Sequence, residues 1–359
     1  MTDSITLTTY QKSNLEKIII STPDSVSGIV IGGRWEAVVR LLPASNVIIV
    51  TDTNISGIYG KRFPRFPVLK IRPGEDSKRL KTIESLAGKL LNSGIDRSGF
   101  LLGIGGGVVC DITGFLASVF MRGIRFGYVS TSLLSQVDAS TGGKNGVNFG
   151  ETKNVIGTFR QPEFVICDTT MLRTLPDDEY SSGLGELIKT GIIGDRSIIE
   201  ILEDNYADVL KRNRDILSVL VAKAVRYKAS VVAKDEKESG LRRVLNFGHT
   251  FGHAVELHDG VKHGFAVASG MMLAATFSRN KGLLRDDDFN RIMHLLKRYN
   301  FPTEINMDPA KIESLILHDK KKAGSDINFV FIKGFEKPLI KKIPLQEVID
   351  FYRQNLKGN

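Results

Sequence analysis

Short apolar runs separated by helical periodicity fill the first half of the chain. Asn46-Val-Ile-Ile-Val-Thr51, Phe100-Leu-Leu-Gly-Ile104, Phe126-Gly-Tyr-Val-Ser130 and Phe164-Val-Ile-Cys167 are brief and rich in β-branched and aromatic residues, the pattern of strands buried on both faces. Between them, Lys78 to Leu91 carries apolar residues at helical spacing behind a capping candidate, Ser77. Strands alternating with helices predict a parallel sheet covered on both sides. After Pro176 the period changes. Asp177 to Ala233 is nearly continuous helical pattern, and His263 to Tyr299 resumes it, with a short hairpin expected at Asn328–Ile332 and Leu339-Ile340. A chain of 359 residues exceeds what one core usually fills. The expectation is an α/β domain over residues 1–176, Rossmann-like with a parallel sheet, followed by a mostly α-helical domain over 177–359.

Composition changes this picture little, but charge narrows the partners. The net charge of +9 is spread along the chain, with Lys320, Lys321 and Lys322 its densest run. No nucleic-acid-binding motif accompanies it, so an anionic small molecule is the expected partner. Cys110 and Cys167 are the only cysteines, too far apart for a CxxC pair and too few for a disulfide framework. The first ten residues are polar and Thr-rich, and no apolar run approaches the ~20 residues of a membrane helix. A cytoplasmic location, with no membrane partner, is the expectation.

Three constellations carry candidate chemistry. Gly103-Ile-Gly-Gly-Gly107 follows a strand and precedes a helix expected from about Asp111, where glycines would let the backbone approach a pyrophosphate. Val108 breaks the GxGxxG pattern, and a plain tight turn is the competing reading. Asp52, after the first of these strands, offers a carboxylate for a ribose diol, but it lies upstream of the glycines where the dinucleotide fingerprint places it downstream. Of six histidines, His249, His253, His258 and His263 fall within fifteen residues. His249 and His253, four apart, share a helix face, which suits a divalent metal without saying which imidazoles bind. Glu186 is a candidate carboxylate ligand, with an i,i+3 ion pair to Lys189 as the alternative. Finally, Gln136 to Asn148 reads as a loop of glycines and hydroxyls around Lys144, suited to an anionic group, with Lys153, Asn154 and Arg242 as further polar side chains.

The series Gly105–Asp111, Met121-Arg-Gly123, Thr131–Asp138, Gly142-Gly-Lys144, Lys153-Asn-Val-Ile-Gly157, Gly183–Lys189, Gly240-Leu-Arg242, Asn246–His253, His263-Gly264 and Asp319-Lys-Lys321 resembles the 3-dehydroquinate synthase family over roughly residues 45–335. The resemblance implies NAD bound between the two domains, one zinc or cobalt ion, and a homodimer. It implies metal ligation by Glu186, His249 and His263, with His253 turned to substrate. Asp52, Glu75, Lys78, Gly106, Gly107, Asp111, Thr131, Ser132, Lys144 and Lys153 would serve the nucleotide. Asp138, Lys144, Asn154, Lys189, Lys228, Arg242, Asn246, His253 and Lys321 would serve a phosphorylated acidic sugar, and Arg122 would reach the neighbouring copy's site. The reaction implied takes 3-deoxy-D-arabino-heptulosonate 7-phosphate through alcohol oxidation, phosphate elimination, hydride return, ring opening and aldol closure to 3-dehydroquinate.

Cys110, Thr141, Gly185 and Thr190 depart from the family pattern beside intact functional residues, and are expected to modulate packing. Two other classes remain open on the residues alone: cyclases of sugar phosphates lacking the carboxylate, and metal-dependent alcohol dehydrogenases of the glycerol-dehydrogenase type. The Gly142-Gly-Lys144 and Lys153-Asn154 segments favour the synthase over a dehydrogenase of a simple polyol, and Arg242, Asn246, His253 and the Asp319-Lys-Lys321 run match the dehydroquinate enzymes, which favours the acid substrate.

Overall fold

The computed structural model describes residues 15–23, 25–150, 152–302, 308–320 and 326–356. Two strands not expected from the sequence, β1 (Glu16–Thr22) and β2 (Ser25–Ile31), form an antiparallel hairpin on one side of the main sheet. Then β3 (Val47–Asp52), helix α1 (Thr53–Tyr59), β4 (Val68–Ile71), helix α2 (Leu80–Asn92), β5 (Phe100–Gly105), helix α3 (Gly107–Val119) and β6 (Arg125–Ser130) alternate as expected. The hairpin β7 (Lys144–Phe149) and β8 (Thr152–Phe159) follows, and β9 (Phe164–Cys167) returns to the sheet. The seven-stranded order is β1-β2-β9-β6-β5-β3-β4, parallel except for β1.

Three local expectations need correction. Helix α2 starts at Leu80 behind Arg79, not after Ser77. Ser77 ends a 3-10 turn, and its hydroxyl donates to the Arg72 carbonyl at 2.7 Å. Helix α3 begins at Gly107, four residues before Asp111, with Gly106 at its N-cap. The Gln136–Asn148 segment is no open loop: a π-helical turn over Ser135–Ala139 leads into β7. Its Gly and Asn content hid the strand, but Gly146 and Gly157 pair so closely that a Cβ on Gly146 would sit 2.8 Å from the Ile156 carbonyl.

From Asp177 the chain is helical: α4 (Asp177–Ile193), α5 (Arg196–Asp204), α6 (Tyr206–Leu210), α7 (Arg214–Lys234), α8 (His249–Asp259), α9 (His263–Asn280), α10 (Asp286–Arg298) and α11 (Pro309–Lys320). The expected hairpin is present as β10 (Asp326–Ile332) and β11 (Pro338–Pro344), before a final α12 (Leu345–Leu356). Among the described residues no helix is long and apolar enough to cross a membrane.

Period-two alternation sorts the sheet residues. Val47, Ile49, Leu102, Ile104 and Ile166 bury against Trp35 and Tyr59 on one face. Ile48, Val50, Leu101 and Val165 face the other way, into a buried cluster that continues through Leu184, Ile188, Val225 and Phe251 to Phe351. At ~1.5–3 kcal/mol for each large apolar side chain, this shared cluster binds sheet and helices together. Helix α7 lies against β1 and β2, where Arg214 donates to the Gly32 carbonyl at 2.7 Å and Thr169 bonds Ser218 at 2.9 Å.

Candidate active site

The chain leaves β3 toward β4 on one side, then returns to place β5 on the other. Such a reversal opens a crevice beyond the carboxyl ends of the two central strands, where doubly wound sheets bind ligands. Asp52 is the last residue of β3 and Gly105 the last of β5, so the carboxylate upstream in sequence is beside the glycines in space. Asp52 also caps α1, accepting from the Ile55 N–H at 2.9 Å. Gly106 and Gly107 open α3, whose first N–H groups and dipole favour an anion. A Cβ on Gly106 would meet Ser132 Oγ at 3.2 Å, and one on Gly107 the Ala139 Cβ at 3.3 Å, so side chains here would crowd the turn. The Thr131 N–H donates to the Gly105 carbonyl at 3.0 Å. Lys78 is buried with its ammonium 2.5 Å from Asp111 and 3.9 Å from Glu75, whose other contact is the Asn148 amide at 2.8 Å. Asp52, Gly105–Gly107, Thr131 and Ser132 thus stand together at the strand ends, and Glu75, Lys78 and Asp111 form a linked group, whereas Lys144 and Lys153 make their contacts with Glu238 and Glu256.

The second cluster sits where α4, α8 and α9 converge. One ligand atom each from Glu186, His249 and His263 lies within 4.8 Å of the others. His249 Nε2 is 3.8 Å and His263 Nε2 3.2 Å from Glu186 Oε1, while each Nδ1 faces an acceptor at 3.2 Å: the Phe247 carbonyl for His249, the Glu256 carboxylate for His263. With Nδ1 donating to these acceptors, Nε2 would be the nitrogen left for a metal; without one, burial lowers the His263 imidazole but the two carboxylates outweigh it and hold it up at about 10. Neither buried oxygen of Glu186 receives a well-formed hydrogen bond from the described residues, although Lys189 pairs with Oε2. Burial pushes the Glu186 carboxyl up, but Lys189 and His263 outweigh it and bring it down to about 2. Burial, with Lys189 and the neighbouring histidines, keeps His249 well below its ordinary value, hence neutral. An ionised carboxylate, a neutral imidazole and a second imidazole with a directed Nε2 suit zinc or cobalt. His253, one turn on, packs edge-on against His249 with ring centroids 5.2 Å apart, outside the three-ligand group. His258 pairs with Asp259.

Tight backbone approaches set this geometry. A Cβ on Gly264 would lie 1.8 Å from the Ser182 carbonyl, and one on Gly185 2.4 Å from the Gly264 carbonyl, so α4 and α9 touch backbone to backbone beside Glu186 and His263. A Cβ on Gly270 would likewise lie 1.9 Å from the Gly248 carbonyl, so α8 and α9 also meet backbone to backbone.

Buried cations stand near the second cluster, where Lys228, Lys189 and Glu186 all act on Asp138. Lys228, from α7, donates to the Asp138 carbonyl at 2.7 Å and to its carboxylate. Burial lowers the Lys228 ammonium below its ordinary value while Asp138 pulls it back. Arg242 is 2% exposed, with its guanidinium on the carbonyls of Glu236 (2.5 Å) and Gly142 (2.9 Å). Lys144 and Asn246 converge on Glu238, a residue sequence reading missed; Asn246 Nδ2 donates to it at 2.5 Å. Glu238 holds φ = 58°, a strained value for a side chain other than Gly or Asn and a signal invisible in sequence. Lys153 contacts Glu256 at 2.8 Å, and the Asn154 N–H bonds Asn148 at 2.8 Å with φ = 55°. Among the described residues no hydrogen bond or ion pair joins the exposed Arg122 to either cluster. Lys321 lies outside the described residues.

Fold and site together define a class: an α/β enzyme scaffold with a dinucleotide-type cradle facing a carboxylate–imidazole metal cluster in a helical portion. Comparison with known proteins narrows it. The family models described as 3-dehydroquinate synthase N-terminal and C-terminal match residues 68–182 and 183–322. The 3-dehydroquinate synthase of Thermodesulfovibrio yellowstonii is 41% identical over 309 residues, 82% of this chain and 86% of its own. That of Acidithiobacillus ferrooxidans is 42% identical over 306 residues, 82% and 84% of the two chains. A crystal structure of 2-deoxy-scyllo-inosose synthase, complexed with carbaglucose-6-phosphate, NAD+ and Co2+, has a TM-score of 0.82 at 25% identity, covering 94% of this chain and 100% of that one. The chain belongs to the 3-dehydroquinate synthase family.

Proposed function

We propose that this chain converts 3-deoxy-D-arabino-heptulosonate 7-phosphate to 3-dehydroquinate and inorganic phosphate. The observation that carries the reading is the convergence of the Glu186–His249–His263 cluster with a wall of cations, in a chain about two-fifths identical to dehydroquinate synthases. Bound at these sites, NAD would supply a hydride acceptor and a zinc or cobalt ion the Lewis acidity that loosens an alcohol proton. The protein's own part is positioning and electrostatics. Asp52, Glu75, Lys78, Asp111, Thr131, Ser132 and the Gly106-Gly107 cradle orient the nucleotide, with Lys153 and Lys144 at its margin. Lys144, Lys189, Lys228 and Arg242 bind the carboxylate and phosphate of the substrate, and Asp138, Asn154, Asn246 and Lys321 its hydroxyls. His253, packed against His249 but outside the three-ligand group, faces the substrate. The departing phosphate can take the proton released during elimination, so no protein base is required there.

We read residues 1–176 as the NAD-binding domain and 177–359 as the metal- and substrate-binding domain, supported by the end of the parallel sheet at Cys167 and the start of the helices at Asp177. A cytoplasmic homodimer, with Arg122 entering the neighbouring copy's site, completes the reading. The dimer and the location rest on the family resemblance, and the exposed position of Arg122 after α3 leaves its side chain available to a neighbouring copy.

The deciding assay supplies purified protein with NAD and Co2+ and measures phosphate released from the heptulosonate phosphate. Release without net accumulation of NADH is the expected result. Release only from sedoheptulose 7-phosphate or glucose 6-phosphate would move the activity to another cyclase. Stoichiometric NADH would make it a dehydrogenase.

A further inference from the structure

Glu256, on α8, belongs to none of the roles above. Its Oε2 faces His263 Nδ1 at 3.2 Å and its Oε1 accepts from Lys153 Nζ at 2.8 Å. The opposite nitrogen of His263 faces Glu186 at 3.2 Å, so this imidazole is clamped between two carboxylates. His249 is oriented differently, against the Phe247 backbone carbonyl, a group no side-chain substitution removes. His263 is the first residue of α9, three residues after α8 ends at Asp259, and its ring also meets those of His249 and His253, with centroids 5.4 and 6.4 Å away. Glu256 therefore supplies from a side chain what a backbone carbonyl supplies to His249. Lys153 reaches it from the β7–β8 hairpin, fixing one carboxylate oxygen and leaving the other for the imidazole.

We infer that Glu256 is a positioning residue of the metal centre: it holds His263 with Nδ1–H as donor and Nε2 aimed at the ion, and Lys153 holds Glu256. This rests on Glu186, His249 and His263 being the metal ligands. Carboxylates behind ligating histidines typically change metal affinity by about 10–100-fold. A merely structural ion pair between β8 and α8 would change stability instead.

Full-length protein stripped with chelator is titrated with Co2+, following heat and the visible absorption of the bound ion. Glu256→Ala is expected to weaken Co2+ by about 10–100-fold and shift the visible bands, while the stripped variant melts with the stripped wild type. Glu256→Gln keeps an acceptor for Nδ1–H and should recover most of the affinity; Lys153→Met should fall between. Wild-type affinity and spectrum in Glu256→Ala overturns the inference. So does equal loss in the Ala and Gln variants, or a loss matched by a lower melting temperature of both stripped proteins. Wild-type protein that takes up no Co2+ overturns the metal reading itself, and this inference with it.

Discussion

His249 and His253 share a face of α8, yet the three-atom group around Glu186 includes only the first. Their i,i+4 spacing permitted both to ligate, because a helix fixes which residues share a face but not what the face meets. What decides it is the approach of α4 and α9, and no local pattern encodes that. The prediction follows: His249→Ala should lose tightly bound metal, read as ions per chain after desalting, whereas His253→Ala should keep it and lose turnover. Equal metal content in the two variants would contradict the roles. Glu238 escaped sequence reading for a related reason. Its left-handed backbone and its contacts with Lys144 and Asn246 are properties of the folded loop, and an isolated glutamate carries no sign of them.

Among elements, the central strands β3, β5, β6 and β9 were legible to within a residue or two, because strands buried on both faces are continuously apolar. The hairpin β7–β8 was not, since its Asn and Gly residues have poor strand propensity and are retained by pairing and by contacts such as Tyr128 Oη to Asn145 Oδ1 at 2.8 Å. Glycines also mark the seam between α4 and α9, which the sequence displayed only as an unusual Gly185. The structure gives that departure a reason in the neighbouring Gly264 carbonyl. Gly264→Ala would drive a methyl against the Ser182 carbonyl, an overpacking expected to cost about 1–3 kcal/mol. It should also part Glu186 from His263. A lower urea midpoint together with weaker Co2+ binding is the expected outcome; an unchanged midpoint would show that the helices can slide apart freely.

At the scale of the molecule, the position of Asp52 upstream of the glycines looked like a flaw in a nucleotide fingerprint. It ceases to be one once β3 and β5 are neighbours, and strand order is what a linear reading lacks. The two halves also share more than a boundary. Ile20, Ile29 and Leu133 belong to the same buried cluster as the helices, and Arg226 of α7 pairs with Glu16 of β1. Residues 1–176 expressed alone would expose that face to water. The fragment is expected to bind a hydrophobic dye and to unfold without a cooperative transition, where the full chain unfolds cooperatively. A monomeric, cooperatively folding fragment would show that the sheet's second face needs no cover.

The backbone contact of α4 with α9 has a consequence for the choice of ion. Walls made of main chain cannot widen by turning a side chain, so the helices that carry Glu186 and His263 keep their spacing. A cage of that kind sorts cations by size and appetite. Calcium wants six to eight oxygens at 2.3–2.6 Å, and two of the three donors here are nitrogens. Abundance of calcium or magnesium around the protein would then leave the centre to the scarcer transition metals that its donors prefer.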